Sequence, residues 1–156
     1  MHRIGLISDT HDLLRPEALD FLRGCDRIVH AGDLCGEAVM VGLAAIAPVT
    51  AVRGNNDRSE WAATLPEALS LTVDGVALYV IHDVADLARL PPPPATRVVV
   101  HGHSHKPAVV ERDGMLFVNP GSAGRRRFSL PISIGALLVD AGRVEATLTT
   151  LVPATR

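Results

Sequence analysis

The chain predicts an α/β domain in which two packed sheets are flanked by helices, and two patterns carry that prediction. The first third alternates strand-like and helix-like runs, whereas the remainder places Asp-Gly and Ala-Gly pairs between β-rich runs. Residues 3–8 read as a buried strand. Residues 15–24 read as a helix with Pro16 near its start and Gly24 at its end. Residues 27–31 form a second strand, 37–46 a second helix and 48–53 a third strand. This β-α-β-α-β order implies a parallel sheet with right-handed crossovers. After Asn55 the grammar changes. Asp74-Gly75 and Asp113-Gly114 are hairpin signals, and Ala141-Gly142 turns a third hairpin joining 132–139 to 143–151. The second half is therefore expected to be mostly antiparallel. Residues 84–90 read as a short helix that the prolines at 91–94 terminate, followed by a strand at 97–101. No repeat, charge block or boundary interrupts the sequence, so residues 1–156 are read as a single domain.

Composition narrows the function classes. With 47% hydrophobic but only 3% aromatic residues, the core must be built from Val, Leu, Ile and Ala. A formal charge of −2 gives no large field and argues against a dedicated nucleic-acid-binding surface. No stretch approaches the ~20 apolar residues of a membrane span, and MHRIGLISD lacks the long apolar region of a secretory signal. A cytoplasmic location with no membrane partner is the default expectation. Cys25 and Cys35 make no CxxC and read as small apolar fillers near helix ends.

The informative feature is where the apolar runs stop. IGLIS leads to Asp9 and His11, RIVHAG to Asp33, VTAVRG to Asn55, LYVI to His82, and VVVHG to His103 and His105. In open α/β sheets ligands collect beyond the carboxyl ends of the strands. Donors at i and i+2 in extended backbone point the same way, so Asp9-x-His11 and His103-x-His105 can each serve one ion. Asn55 offers a side-chain carbonyl, and Asp57 is expected to steady its loop by hydrogen bonding. His2 and His30 read as a frayed terminus and a strand residue, and His101 as a support for a ligand's second nitrogen or a loop carbonyl. One divalent ion of this kind takes about four to six ligands, so seven side chains overfill it and favour two ions with Asp33 between them. Three oxygens and four imidazoles without sulfur suit Mn, Fe, Co, Ni or Zn, with Mn foremost, over Mg or Ca alone.

In order, Asp9-x-His11, Gly32-Asp33, Gly54-Asn55-x-Asp57, His82 and Gly102-His103-Ser104-His105 resemble the calcineurin-like metallophosphoesterase superfamily, and within it a small single-domain prokaryotic phosphodiesterase branch. Asn119-Pro120-Gly121-Ser122 matches a segment common in that branch. The resemblance covers about residues 3–150 and implies a four-layer α/β/β/α sandwich with two divalent metals. It assigns Asp9, His11, Asp33 and His105 to one metal, and Asp33, Asn55, His82 and His103 to the other, Asp33 bridging. The implied activity is hydrolysis of a small phosphoester by a hydroxide shared between the metals.

Two positions depart from that pattern. Many relatives place a His proton donor where this chain has Asn56; an amide is no general acid, though it can hydrogen-bond a phosphoryl oxygen. Asn56 is thus read, with Asp33, as a residue of the catalytic and substrate-binding site. Relatives follow the equivalent of His82 with Gly, whereas here Asp83 is either turned away or repels an anionic substrate. The stretch from His82 to Gly102 is short, so any lid is small. Arg125-Arg126-Arg127 read as a solvated loop or a contact between copies of a homo-oligomer, since three adjacent residues cannot all face one site. The rival reading is a non-catalytic, metal-binding interaction scaffold of the same fold. A metal-dependent peptidase is weaker, because no glutamate accompanies the His pair as in a zincin helix.

Overall fold

The structure is a computed structural model and describes residues 1–155. Along the chain run β1 (His2–Ile7), α1 (Pro16–Leu22), β2 (Arg27–His30), α2 (Glu37–Ala44), β3 (Val49–Ala51), β4 (Ala68–Val73), β5 (Val76–Ile81), β6 (Val98–Val100), β7 (Ala108–Arg112), β8 (Met115–Asn119), β9 (Ile132–Asp140) and β10 (Arg143–Val152). They form two five-stranded mixed sheets, ordered β10-β9-β1-β2-β3 and β4-β5-β6-β8-β7. The expected parallel β1-β2-β3 core is present, with α1 and α2 as its crossovers. All three hairpin turns place both central residues at positive φ, as two-residue turns matching the strand twist require.

The mostly antiparallel expectation for the second half holds, with an exception at the centre of the second sheet. The hairpins β4-β5, β7-β8 and β9-β10 are antiparallel, but β5, β6 and β8 pair in parallel at the centre of the second sheet. Hairpin turns report only on neighbours in sequence, and β6 reaches both of its partners through longer connections. The expected helix at 84–90 is a 3-10 segment, Val84–Ala88, so the layer over the second sheet is thin. Asp83 caps its start by accepting a hydrogen bond from the Ala85 N–H at 3.0 Å.

Alternation along the strands decides what each face buries. Ile4 and Leu6 of β1 meet Leu78, Val80, Val98 and Val100 between the sheets. Ile7 faces the helices with Ala18, Leu22, Val39 and Leu43. Gly5 lies on that helical face because a Cβ there would collide with the Leu22 side chain. Tyr79, Ile81 and Val99 are covered by Leu87 and Leu90, and the Tyr79 hydroxyl donates to the Leu90 carbonyl at 2.6 Å. With both sheets fixed, the carboxyl ends of β1, β2, β3, β5 and β6 share one rim.

Candidate metal centre

All seven predicted donors meet at that rim. Asp9 Oδ1 lies 3.3 Å from His105 Nε2 and 3.9 Å from both His11 Nε2 and His82 Nε2. His11 Nε2 is 3.4 Å from His105 Nε2 and 3.6 Å from Asp33 Oδ2, which is itself 3.4 Å from His82 Nε2. Asn55 Oδ1 completes the row at 3.0 Å from His82 Nε2 and 3.2 Å from His103 Nδ1. Ligands about 2.0–2.2 Å from one ion stand roughly 3–3.5 Å apart, so these spacings are those of donors sharing cations. Two groups, Asp9-His11-His105 and Asp9-Asp33-His82, each bring one donor atom per residue within 4.8 Å of the others. Asp9 Oδ1 is buried without any hydrogen-bond partner, a vacancy in the bonding that a cation would fill.

The convergence arises differently from the extended-backbone expectation. β1 ends at Ile7 and β6 at Val100, so the DxH and HxH pairs lie beyond the strands. Asp9, His11, Asp33, His103 and His105 all have positive φ, between 46° and 71°, a region that non-glycine residues enter sparingly. Backbone bonds hold the turns: the Asp9 N–H donates to the Gly32 carbonyl and the His11 N–H to the Asp33 carbonyl, each at 3.0 Å. Asp57 steadies its loop as expected, accepting from the N–H groups of Asp33, Gly54 and Cys35 at 2.7–2.9 Å. Gly54 and Gly102 are dictated by space. A Cβ at Gly54 would enter the Asp33 carboxylate, and one at Gly102 would enter Ser8 Oγ.

Electrostatics sort the titratable groups. Burial alone would raise the Asp33 carboxyl, but His82 and two bonds from Asn56 outweigh it and hold it well below the usual carboxylate range. Asp9 is likewise lowered against its burial, by His105, His82 and the Ser8 hydroxyl, which donates to Oδ2 at 2.6 Å. His82 is pushed up to about 9 despite its burial, because Asp33 and Asp9 stabilise the imidazolium. Its Nδ1–H donates to the Ala31 carbonyl at 2.7 Å, which turns Nε2 toward the carboxylates. His11 is lowered chiefly by burial, with the charges of His105 and Arg127 adding to it and Asp33 and Asp9 opposing.

Residues 2–142 match the calcineurin-like phosphoesterase superfamily domain. The chain belongs to that superfamily. A probable metallophosphoesterase of Methanothermobacter thermautotrophicus is 32% identical over 93% of this chain and 90% of its own length. A phosphodiesterase of Methanocaldococcus jannaschii is 27% identical over 76% of this chain and 82% of its own. Vps29 of Entamoeba histolytica, solved in complex with zinc, shares the fold at a TM-score of 0.73 and 22% identity, covering 95% of this chain and 98% of that one. The divalent metal that this superfamily implies has, at the rim, candidate ligands chemically suited to hold it.

Both departures from the superfamily pattern have a structural place. Asn56 clasps Asp33: its backbone N–H donates to Oδ1 at 2.9 Å and its side-chain amide to Oδ2 at 3.0 Å. Asp83 is neither turned away nor aimed into the centre. Its carboxylate lies 3.5 Å from His103 Nε2, on the far side of the ring from the Nδ1 that faces Asn55.

Other readings change. Among the described residues His101 Nδ1 has no hydrogen-bond partner, and its ring lies edge-on to Phe117. His30 is more than a strand residue, since it accepts from the Gly32 N–H at Nδ1 and reaches Thr10 Oγ1 from Nε2 at 3.0 Å. Cys25 is a buried filler, but Cys35 is exposed, with Sγ 3.6 Å from His11 Nδ1. Partial desolvation of the sulfur and the carboxylates of Asp57 and Asp33 push its thiol up to about 12, so it stays protonated. Arg125, Arg126 and Arg127 are a loop, yet all three line one recess with His11 and His105. Sequence reasoning missed three supports. Ser8 holds Asp9, the Ser122 hydroxyl donates to the Asp9 carbonyl at 2.9 Å, and the Asn119 amide donates to the Gly102 carbonyl and Ser104 Oγ at 3.1 Å. The Asn119–Ser122 segment was the only signal for the last two.

Proposed function

We propose that the protein is a metal-dependent phosphoesterase acting chiefly on phosphodiesters. Asp9, His11, Asp33 and His105 would hold one divalent cation, and Asp33, Asn55, His82 and His103 a second, Mn foremost. The observation that carries this reading is the buried, partnerless Asp9 Oδ1 ringed by three imidazoles within 3.9 Å. When bound, such cations would supply Lewis acidity that neutralises phosphoryl oxygens and lets water ionise near neutral pH. The chain's own residues do the positioning. Asp57 fixes the Asp33 loop, and Asn56 holds the Asp33 carboxylate with one amide hydrogen while its other can meet a phosphoryl oxygen. No residue at position 56 can protonate a departing alkoxide, so acidic leaving groups such as aryl alcohols should be favoured, with weak turnover of monoesters. General acid catalysis is typically worth about 10²–10⁴-fold, and the preference for aryl over alkyl esters should approach that range.

Metal-stripped protein should be inactive on an aryl phosphodiester, regain turnover on addition of Mn, and fail to regain it as Asp33→Asn. Turnover indifferent to both metal and substitution would overturn the reading. The absence of a general acid at Asn56 also favours the interaction-scaffold alternative. Wild-type protein that binds two equivalents of Mn yet hydrolyses no aryl diester would decide for it.

A further inference from the structure

The flank of the centre beside His11 and His105 carries charge that the reaction described above does not use. Arg125, Arg126 and Arg127 line, with those two histidines, a recess of about 190 Å³. The loop is held against the centre. Arg125 Nε donates to the His11 carbonyl at 3.3 Å, Arg126 NH1 donates to the Leu130 carbonyl at 2.8 Å, and Arg15 Nε donates to the Gly124 carbonyl at 2.9 Å. Backbone carbonyls thus orient two of the three guanidinium groups without neutralising them. Among the described residues, no carboxylate lies within 4.0 Å of Arg125, Arg126 or Arg127, although Arg53 and Arg89 elsewhere pair with Glu67. No acidic residue lines the recess at all. The groove on the opposite flank differs, since Asp57, Glu67, Asp83 and Asp86 line it alongside Arg53 and Arg58.

We propose that Arg125 and Arg127 form a subsite for a second phosphate of the substrate, next to the phosphoester that is cleaved. The substrate class is a phosphodiester that also bears a terminal phosphate. Guanidinium groups suit this task because their planar donors match phosphate oxygens two at a time. Arg125, tied to the His11 carbonyl through Nε, keeps its terminal nitrogens for such a ligand, and Arg127 has no competing partner among the described residues. The acidic groove opposite would repel a second phosphate, which fixes the direction in which the substrate lies.

The inference rests on the phosphoesterase reading, so its test has two arms. In the first, Mn-loaded protein is assayed on a thymidine dinucleotide with and without a 5′-terminal phosphate. Wild type should prefer the phosphorylated form by about tenfold or more, mainly through KM, as expected for charge-assisted hydrogen bonds. In Arg125→Gln/Arg127→Gln that ratio should fall toward one. A wild-type ratio of one, or a variant that lowers both substrates equally, overturns the proposal; the latter would mean that the arginines hold the cleaved phosphate. In the second arm, metal-free protein is titrated with inorganic phosphate by calorimetry. Binding should weaken at least tenfold in the double variant and persist in Arg58→Gln, whereas equal binding by all three proteins, or none by wild type, overturns it. Should wild type cleave neither dinucleotide nor an aryl diester, the phosphoesterase reading fails, and the titration still decides whether the subsite exists.

Discussion

The two flanks of the centre are built on opposite principles. On one, Asp9, His105 and the ring of His11 are packed under the loops after β1 and β6, with Ser8, Thr10 and His30 beneath them. On the other, Asn55 and His103 reach into solvent, His103 being 44% exposed, while His82 and the shared Asp33 are buried. The buried flank is fixed by sterics and backbone hydrogen bonds and is bordered by arginines; the open flank is fixed by side-chain pairs and bordered by acids. A rigid buried flank holds its ligands whether or not a cation is present. An open flank leans on partners such as Asp83 and, if the centre holds the two cations proposed above, should yield its cation first.

The most damaging way to erase this difference is to overfill the buried flank. At Gly102 an added Cβ would overlap Ser8 Oγ and press on Asp9 Oδ2 at 2.5 Å, while the Gly102 carbonyl also anchors Asn119. Gly102→Ala should therefore displace Asp9 and the whole 102–105 turn. Loss of both cations by calorimetry and at least about 10²-fold in kcat/KM on an aryl diester is expected, the scale of removing preorganised electrostatic groups. Retention of one tightly bound cation would show that the buried flank tolerates the intrusion.

Two buried histidines make the flanks distinguishable by pH. His82 faces Asp33 and Asp9 and is pushed up to about 9, so in metal-free protein it favours a protonated folded state at neutral pH. Its contribution is fully present below about pH 6.5 and is lost as pH rises through about 9. His30 behaves in the opposite sense. Burial lowers it to about 4, and its Nδ1, occupied as an acceptor from Gly32, cannot take a proton without breaking that bond. The unfolded chain then binds the proton more readily, so stability falls as pH drops from about 6.5 to about 4. A gap of this size is worth about 3 kcal/mol. Chemical denaturation of metal-free protein between pH 7 and 4.5 should show this slope, reduced in His30→Gln. An identical slope in the variant would place the acid sensitivity elsewhere.

The same contrast explains what the sequence could disclose. The donors were legible because each follows an apolar run, and strand ends in parallel sheets open onto one rim. The carboxyl ends of strands from both sheets share that rim, which brings His82 to Asp33 and His103 to Asn55 even though the β5-β6-β8 pairing was hidden from hairpin signals. The backbone route was not legible. Left-handed residues at Asp9, His11, His103 and His105 replace the extended geometry that an i, i+2 spacing suggested. Supports acting across the chain were hidden for a simpler reason. Ser122 reaches Asp9 over 113 positions and Asp83 reaches His103 over 20, and no local periodicity encodes such pairs. Adjacency left the arginines as a solvated loop or a contact between copies, and the common recess that all three line with His11 and His105 beyond the bend at 123–125 was not legible.

The smallest expected effect sharpens the comparison most, because it touches only the open flank. Asp83 accepts from the Ala85 N–H through Oδ1 and lies by Oδ2 3.5 Å from His103 Nε2. A carboxylate behind a ligating imidazole orients the ring and raises its basicity, and losing such a partner typically costs about 10–100-fold in metal affinity. His103 is partly exposed, which places Asp83→Asn at the lower end, about tenfold. An amide preserves the cap to Ala85 through its carbonyl, so folding should be unaffected. Two-site calorimetry with Mn should show one site weakened and the other unchanged. Equal weakening of both would mean that the cations are coupled through Asp33 strongly enough for the two flanks to act as one.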